Sequence, residues 1–167
     1  IVEIYEHIQQ EGEHYVVREF IEGKEVREYL SVSGLKGDDR IHFVLRVAAE
    51  VSEALSELHS RNIFHRDVRP ANIIIRSKDH SALLIDLGLA KVEGVKEITR
   101  VPFSLVYSPP EQVLGFNELV NASSDIYSLG ITVYELLAGR PAFHHENPEL
   151  LMNIMLSLSL TQTKKIP

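Results

Sequence analysis

Three oxygen-bearing side chains stand at short intervals in the middle of the chain. Asp67 and Asn72 share the segment His65-Arg66-Asp67-Val68-Arg69-Pro70-Ala71-Asn72, and Asp86 follows the apolar run Leu83-Leu84-Ile85 and precedes Leu87-Gly88. Carboxylate and amide oxygens are the ligands that hard cations such as magnesium prefer. A glycine close behind a carboxylate at a strand end lets the backbone turn sharply there. A guanidinium such as Arg69 can neutralise a neighbouring anion with a forked geometry. There is no cysteine, which excludes a thiolate nucleophile and a disulfide framework.

The elements that must carry these residues follow from pattern. Ile1 to Tyr5 and Tyr15 to Ile21 read as two strands, with a turn around Glu11-Gly12-Glu13. Glu22-Gly23 ends the second strand and a short helix runs to Leu30, followed by a loop from Ser31 to Gly37. Asp38 or Asp39 can cap the next helix. Its apolar face is Ile41, Val44, Ala48, Val51, Leu55 and Leu58, and it ends near Asn62. The runs Ile73-Ile74-Ile75 and Leu83-Leu84-Ile85 form a hairpin. Val92 to Ser108 has no period and reads as a loop. A helix opens at Ser124 and stops near Gly139, and a last one spans Pro148 to about Ser157. Strands, helices, a hairpin, a long loop and helices again make an α+β pattern.

The chain has 167 residues, 44% of them hydrophobic and 25% charged, which suits one globular domain. A net charge of -7 argues against a general binder of nucleic acid or of membrane surfaces. No apolar run approaches the length of a membrane span. His144-His145-Glu146 lacks metal-ligand spacing and reads as a solvated loop.

The segment from His65 to Asn72 resembles the catalytic loop of protein kinases, H-R-D followed by four residues and Asn. Asp86-Leu87-Gly88 resembles the kinase D-F-G, with Leu in place of Phe. Tyr107-Ser108-Pro109-Pro110-Glu111-Gln112 is similar to the A-P-E segment, and Ser124-Asp125-Ile126-Tyr127-Ser128-Leu129-Gly130 to the helix start that follows it. The details resemble serine/threonine kinases of bacterial type. The resemblance implies a protein-kinase-like fold, mostly the helical large lobe with the last two strands of the small lobe. Residues 1 to about 21 would be the end of the small lobe and the hinge. Residues 22–167 would be the large lobe, incomplete at its C-terminal end.

The resemblance also implies roles. Asp67 would orient the hydroxyl of a Ser or Thr in a protein substrate and accept its proton. Arg69, where these kinases carry Lys, would stabilise charge on the transferred group. Asn72 and Asp86 would hold Mg²⁺. Glu19 and Ile21 match the hinge that contacts the adenine of ATP, Ile74 would pack beneath the ring, and Glu25 would reach the ribose or a basic substrate residue. Glu25 is read equally well as an exposed first-turn helix glutamate. Arg66 would pair with a phosphorylated residue of the activation segment, Thr99 first and Ser104 second; an unmodified loop threonine is the alternative for Thr99. Phe103 stands where the family has Gly. Arg18 matches the gatekeeper, where a buried cation costs several kcal/mol unless paired. Asp125 would accept backbone N–H groups of the catalytic loop, His65 would be a packed histidine, and Leu87 and Ile4 would belong to an apolar spine. Asp67 and Asn72 could otherwise be turn residues.

The sequence holds no G-x-G-x-x-G and no V-A-I-K-like strand. The expectation is therefore a cytoplasmic kinase fragment cut at both ends, poorly soluble and inactive by itself. A pseudokinase acting as a binding or regulatory module is the second hypothesis, and a kinase of small-molecule hydroxyls the third.

Overall fold

The structure is a computed structural model that describes residues 2–10, 13–86, 91–92 and 105–162. Strands β1 (Ile4–Gln10) and β2 (Glu13–Arg18) form an antiparallel two-stranded sheet. Both begin and end at other residues than the apolar runs suggest. The polar tail Glu6 to Gln10 continues β1, because its backbone is paired up to Gln10 with Glu13. Glu19 and Ile21 follow β2 rather than ending it.

The chain does not go straight from β2 into a helix. A third strand, β3 (Gly23–Glu25), pairs antiparallel with β5 (Ile73–Arg76), and β5 pairs with β6 (Ala82–Leu84). Gly23 permits this. A Cβ there would lie 2.4 Å from the carbonyl oxygen of Ile75 and 2.7 Å from Cγ2 of Ile74. Only a residue without a side chain lets the two backbones approach so closely. The expected hairpin of Ile73-Ile74-Ile75 against Leu83-Leu84-Ile85 is present, but its second strand begins and ends one residue earlier, at Ala82 and Leu84. Its side chains alternate: Ile73, Ile75, Ala82 and Leu84 are buried, and Ile74 and Leu83 are half-buried on the other face.

Helix α1 (Val26–Ser33) ends in Gly34 at φ 70°, so it extends past Leu30 before a left-handed residue stops it. Helix α2 (Gly37–His59) is the longest. Neither Asp38 nor Asp39 caps it; both lie in its first turn, where their charge favours the helix N-terminus. Its buried stripe is Phe43, Val44, Val47, Val51, Leu55 and Leu58, whereas Ile41 is exposed. The neighbouring Arg40 sets this first turn. Its Nε and Nη2 donate to the carbonyl of Leu136, at 2.9 and 2.7 Å. That contact joins α2 to the C-terminal end of α4 (Ala122–Ala138).

Helix α4 starts two residues before Ser124, because Asn121 and Ser124 make a capping box. The Asn121 side chain accepts from the Ser123 N–H at 2.8 Å, and Ser124 Oγ accepts from the Asn121 N–H at 3.1 Å. It stops at Gly139, as expected. The short β4 (Ile63–Phe64) pairs with β7 (Lys91–Val92). Helix α3 (Pro110–Val113) is a single turn, and α5 (Pro148–Gln162) is the last element among the described residues. One core unites α1, α2, β5, β6 and α4 around Val44, Val51, Leu55, Val68, Ile73 and Leu129. Val68, fully buried, plugs the catalytic-loop segment into it.

Candidate active site

The loop between β4 and β5 is held in place by α4. Asp125, fully buried, accepts the backbone N–H of His65 at 2.9 Å on Oδ2 and that of Arg66 at 2.8 Å on Oδ1. His59 Nε2 lies 2.8 Å from the same carboxylate. One turn further along α4 from Leu129, Thr132 Oγ1 donates to the carbonyl of Val68 at 3.3 Å. A buried carboxylate is tolerable only with such partners. The structural role expected of Asp125 is therefore present.

Within the loop, the Nδ2 amide of Asn72 donates to both the backbone carbonyl and Oδ2 of Asp67, each at 2.8 Å. This turns Asn72 Oδ1 away, and it accepts no hydrogen bond among the described residues. Arg69 Nε sits 3.6 Å from Asp67 Oδ2, while Asp67 Oδ1 has no partner among the described residues. The Ile85 N–H donates to the Asn72 carbonyl at 2.9 Å, which brings Asp86, the next residue, to the same end of the hairpin. Asp86 and Arg66 both adopt positive φ, 67° and 68°, in the left-handed region that costs a side-chain-bearing residue about 1–2 kcal/mol.

His65 joins these parts. It is fully buried; its Nδ1 accepts from the Asp67 N–H at 3.3 Å and its Nε2 donates to the Ile85 carbonyl at 3.1 Å. Burial holds its pKa below the ordinary histidine value, against the pull of the Asp125, Asp67 and Asp86 carboxylates. The neutral imidazole is thus a fixed strut between the loop and the strand end.

The β3–β5–β6 sheet forms a platform beside the loop. Glu25 is directly opposite Ile74, and Ile74 directly opposite Leu83. Leu83, which the sequence marked only as a strand residue, shares the half-buried face of Ile74, and alternation along the hairpin was the signal for it. Glu19 pairs with Arg76 at 3.7 Å, and its backbone N–H donates to the Glu3 carbonyl at 2.9 Å. Ile21 is half-buried. Arg18 is exposed at the end of β2 and forms no ion pair among the described residues, so no burial cost arises there. His144, His145 and Glu146 are exposed. Thr99, Phe103, Ser104, Leu87 and the side chain of Ile4 lie outside the described residues.

The residues present fit a nucleotide with magnesium. Glu25 Oε1 and Arg69 Nε are buried and make no hydrogen bond, only long ion pairs to Arg27 Nη1 at 3.9 Å and Asp67 Oδ2 at 3.6 Å; one is an acceptor suited to a hydroxyl and the other a donor suited to an anion. Among the described residues no three His, Asp or Glu side chains form a metal cluster. Magnesium sites built from one or two carboxylates plus phosphate oxygens need none.

A family model described as "Protein kinase domain" matches residues 1–167. The chain belongs to the protein kinase family. Among its relatives, a probable serine/threonine-protein kinase of Dictyostelium discoideum is 32% identical over 159 residues, 94% of this chain and 34% of that protein. Serine/threonine-protein kinase PknB of Mycolicibacterium smegmatis is 35% identical over 139 residues, 80% of this chain and 21% of that protein. Serine/threonine-protein kinase PknF of Mycobacterium tuberculosis is 32% identical over 169 residues, 95% of this chain and 34% of that protein. This kinase chain thus spans about a fifth to a third of the length of the curated relatives it matches. The kinase-like α+β fold expected from its motifs is the fold observed.

One network in the kinase chain has no sequence signal. Arg27 of α1 lies 2.6 Å from Glu135 of α4 by its Nε and donates to the phenol of Tyr107 through Nη2. The Tyr107 phenol donates to Glu135 at 2.7 Å. Burial, then the Glu135 contact, raises the Tyr107 pKa far above its ordinary value. These three residues are distant in sequence and of ordinary surface types, so spacing could not group them. They anchor the segment before α3 to both α1 and α4.

Proposed function

We propose that this chain is part of a protein serine/threonine kinase that transfers the γ-phosphate of ATP, with Mg²⁺, to Ser or Thr hydroxyls of protein substrates. The observation that carries the reading is the bonding of Asn72: both its amide donors point at Asp67, which leaves its oxygen for a cation and Asp67 Oδ1 for a hydroxyl. In this reading the substrate hydroxyl oxygen bonds to the γ-phosphorus, the bond from that phosphorus to the ADP oxygen breaks, and Asp67 takes the hydroxyl proton. Arg69 neutralises charge on the transferred group, and Asn72 with Asp86 holds magnesium. Glu25 meets the ribose, Ile74 and Leu83 lie under the adenine, and Glu19 and Ile21 offer hinge backbone groups. Positioning and electrostatics supply most of the rate, as phosphoryl transfer requires.

Residues 1 to about 21 would be the end of the small lobe and the hinge, and residues 22–167 the large lobe. Arg66 would answer a phosphate on Thr99 or Ser104. The catalytic domain would work in the cytoplasm; no helix among the described residues is long and apolar enough to cross a membrane. The relatives' names support the serine/threonine assignment, as does Arg69-Pro70 after Asp67. The presence of Asp67, Asn72 and Asp86 together weighs against a pseudokinase.

Asp67→Asn in the full-length protein tests the proposal. It should lower kcat about a hundredfold or more, the usual contribution of a general base, with ATP affinity nearly unchanged. Phosphoryl transfer at the native rate in the variant would remove Asp67 as the base.

A further inference from the structure

Arg66, the residue just before the candidate base, is fixed at three atoms by three different side chains. Its N–H goes to Asp125 Oδ1 at 2.8 Å, its carbonyl accepts from Gln112 Nε2 at 2.9 Å, and its Nη2 donates to Asn117 Oδ1 at 3.1 Å. Asp125 belongs to α4 and Gln112 to α3. Asn117 opens the 3-10 turn Asn117–Leu119 in the connection between them. The backbone they fix is a strained one, with Arg66 at φ 68°. Asp67 follows directly, so the direction of its carboxylate depends on how Arg66 is held.

The Asn117 contact differs from the other two. Gln112 and Asp125 are buried, but Asn117 is exposed and reaches the guanidinium rather than the backbone. It offers a neutral amide oxygen to a cation. The connection is shaped to deliver it: Gly115 adopts φ 76°, and the Phe116 N–H returns to the Glu111 carbonyl at 2.8 Å. A carboxylate at the same place would make a stronger, charge-assisted bond.

We infer that Asn117 is a positioning residue for phosphoryl transfer, acting on Asp67 through the guanidinium of Arg66. The α3–α4 connection thereby holds the catalytic loop through a contact that requires no phosphate. This rests on the kinase reading, because its readout is turnover.

The test uses the full-length protein and four variants: Asn117→Ala, Asn117→Asp, Arg66→Ala, and Asn117→Ala with Arg66→Ala. Asn117 is exposed, so its replacement leaves the core intact. Asn117→Ala should lower kcat about three- to tenfold with the KM for ATP within about twofold, the signature of a group that acts on the reacting geometry. Asn117→Asp should keep or exceed native kcat. In the Arg66→Ala background, Asn117→Ala should change kcat by less than about twofold, because contacting residues are not additive. An unchanged kcat in Asn117→Ala, or an equal loss with and without Arg66, overturns the inference while leaving the kinase reading standing. Absence of phosphoryl transfer by the native protein under conditions where it binds Mg-ATP overturns the kinase reading and this inference with it.

Discussion

His65 is hydrogen-bonded through both ring nitrogens and shut off from water, and this has a consequence for pH. In the unfolded chain a histidine takes up a proton near pH 6.5. In the folded chain burial keeps His65 neutral to lower pH. The unfolded state therefore binds more protons as the pH falls, so the stability from this residue is complete above about pH 6.5 and declines below it. The slope is at most about 1.4 kcal/mol per pH unit. Urea unfolding from pH 7.5 down to 5.5 should show a steeper loss in the native protein than in His65→Gln. Equal slopes would mean that His65 charges freely in the fold. At this scale the sequence was informative: Asp67, Arg69, Asn72 and Asp125 could be singled out because their spacing along the chain is short or their motif well marked. Arg27, Tyr107 and Glu135 could not, because only folding brings them together.

At the scale of elements, β3 shows why boundaries are hard to read. Gly23 looks like punctuation after a strand, since glycine is a poor strand former. Its real task is to let β3 lie against β5, so the same residue that argued for an end marks a beginning. Gly23→Ala should cost about 1–3 kcal/mol, the range for forcing extra volume into a packed site. It should also raise the KM for ATP, because the first atoms displaced belong to Ile74 and Ile75, and Glu25 is paired with Ile74. Chemical denaturation and steady-state kinetics of the variant check both halves; native stability with native KM would show that the strands can separate at no cost. Helix α2 shows a second limit. Periodicity alone allowed Ile41 on the apolar face, but the Arg40 contact with the end of α4 turns Ile41 outward, and a pairing between two helices leaves no mark in the spacing of one. The hairpin of β5 and β6 was legible because both strands are apolar, β-branched or leucine-rich, and joined by a short polar turn.

The whole molecule distributes its apolar surface unevenly. Helices and the three-stranded sheet share a continuous core, while β1 and β2 are paired only with each other among the described residues. Tyr5 is 61% exposed and Phe20 89% exposed, and Tyr15 and Val16 are each more than half exposed. A two-stranded sheet with unpaired edges and exposed aromatic residues is prone to edge association. The 167-residue chain by itself should therefore self-associate at micromolar concentration despite its net charge of -7. Sedimentation velocity of the chain, with Tyr5→Lys and Val16→Lys as a monomeric control, checks this; a single monomer boundary for the native chain would refute it.

The bonding of Asp67 carries one more consequence. Asn72 and Arg69 both address Oδ2, so the two oxygens of this carboxylate are chemically unlike before any ligand arrives. The group has a back and a front. Oδ2 is the back, already loaded with hydrogen and cation, and Oδ1 is the front, with its lone pairs unengaged among the described residues. A donor approaching the front finds an open acceptor, and one approaching the back finds the Asn72 amide and the Arg69 guanidinium already there. The site is thereby handed: a symmetric functional group, placed between an amide and a guanidinium, offers a single side to the hydroxyl of the proposed reaction.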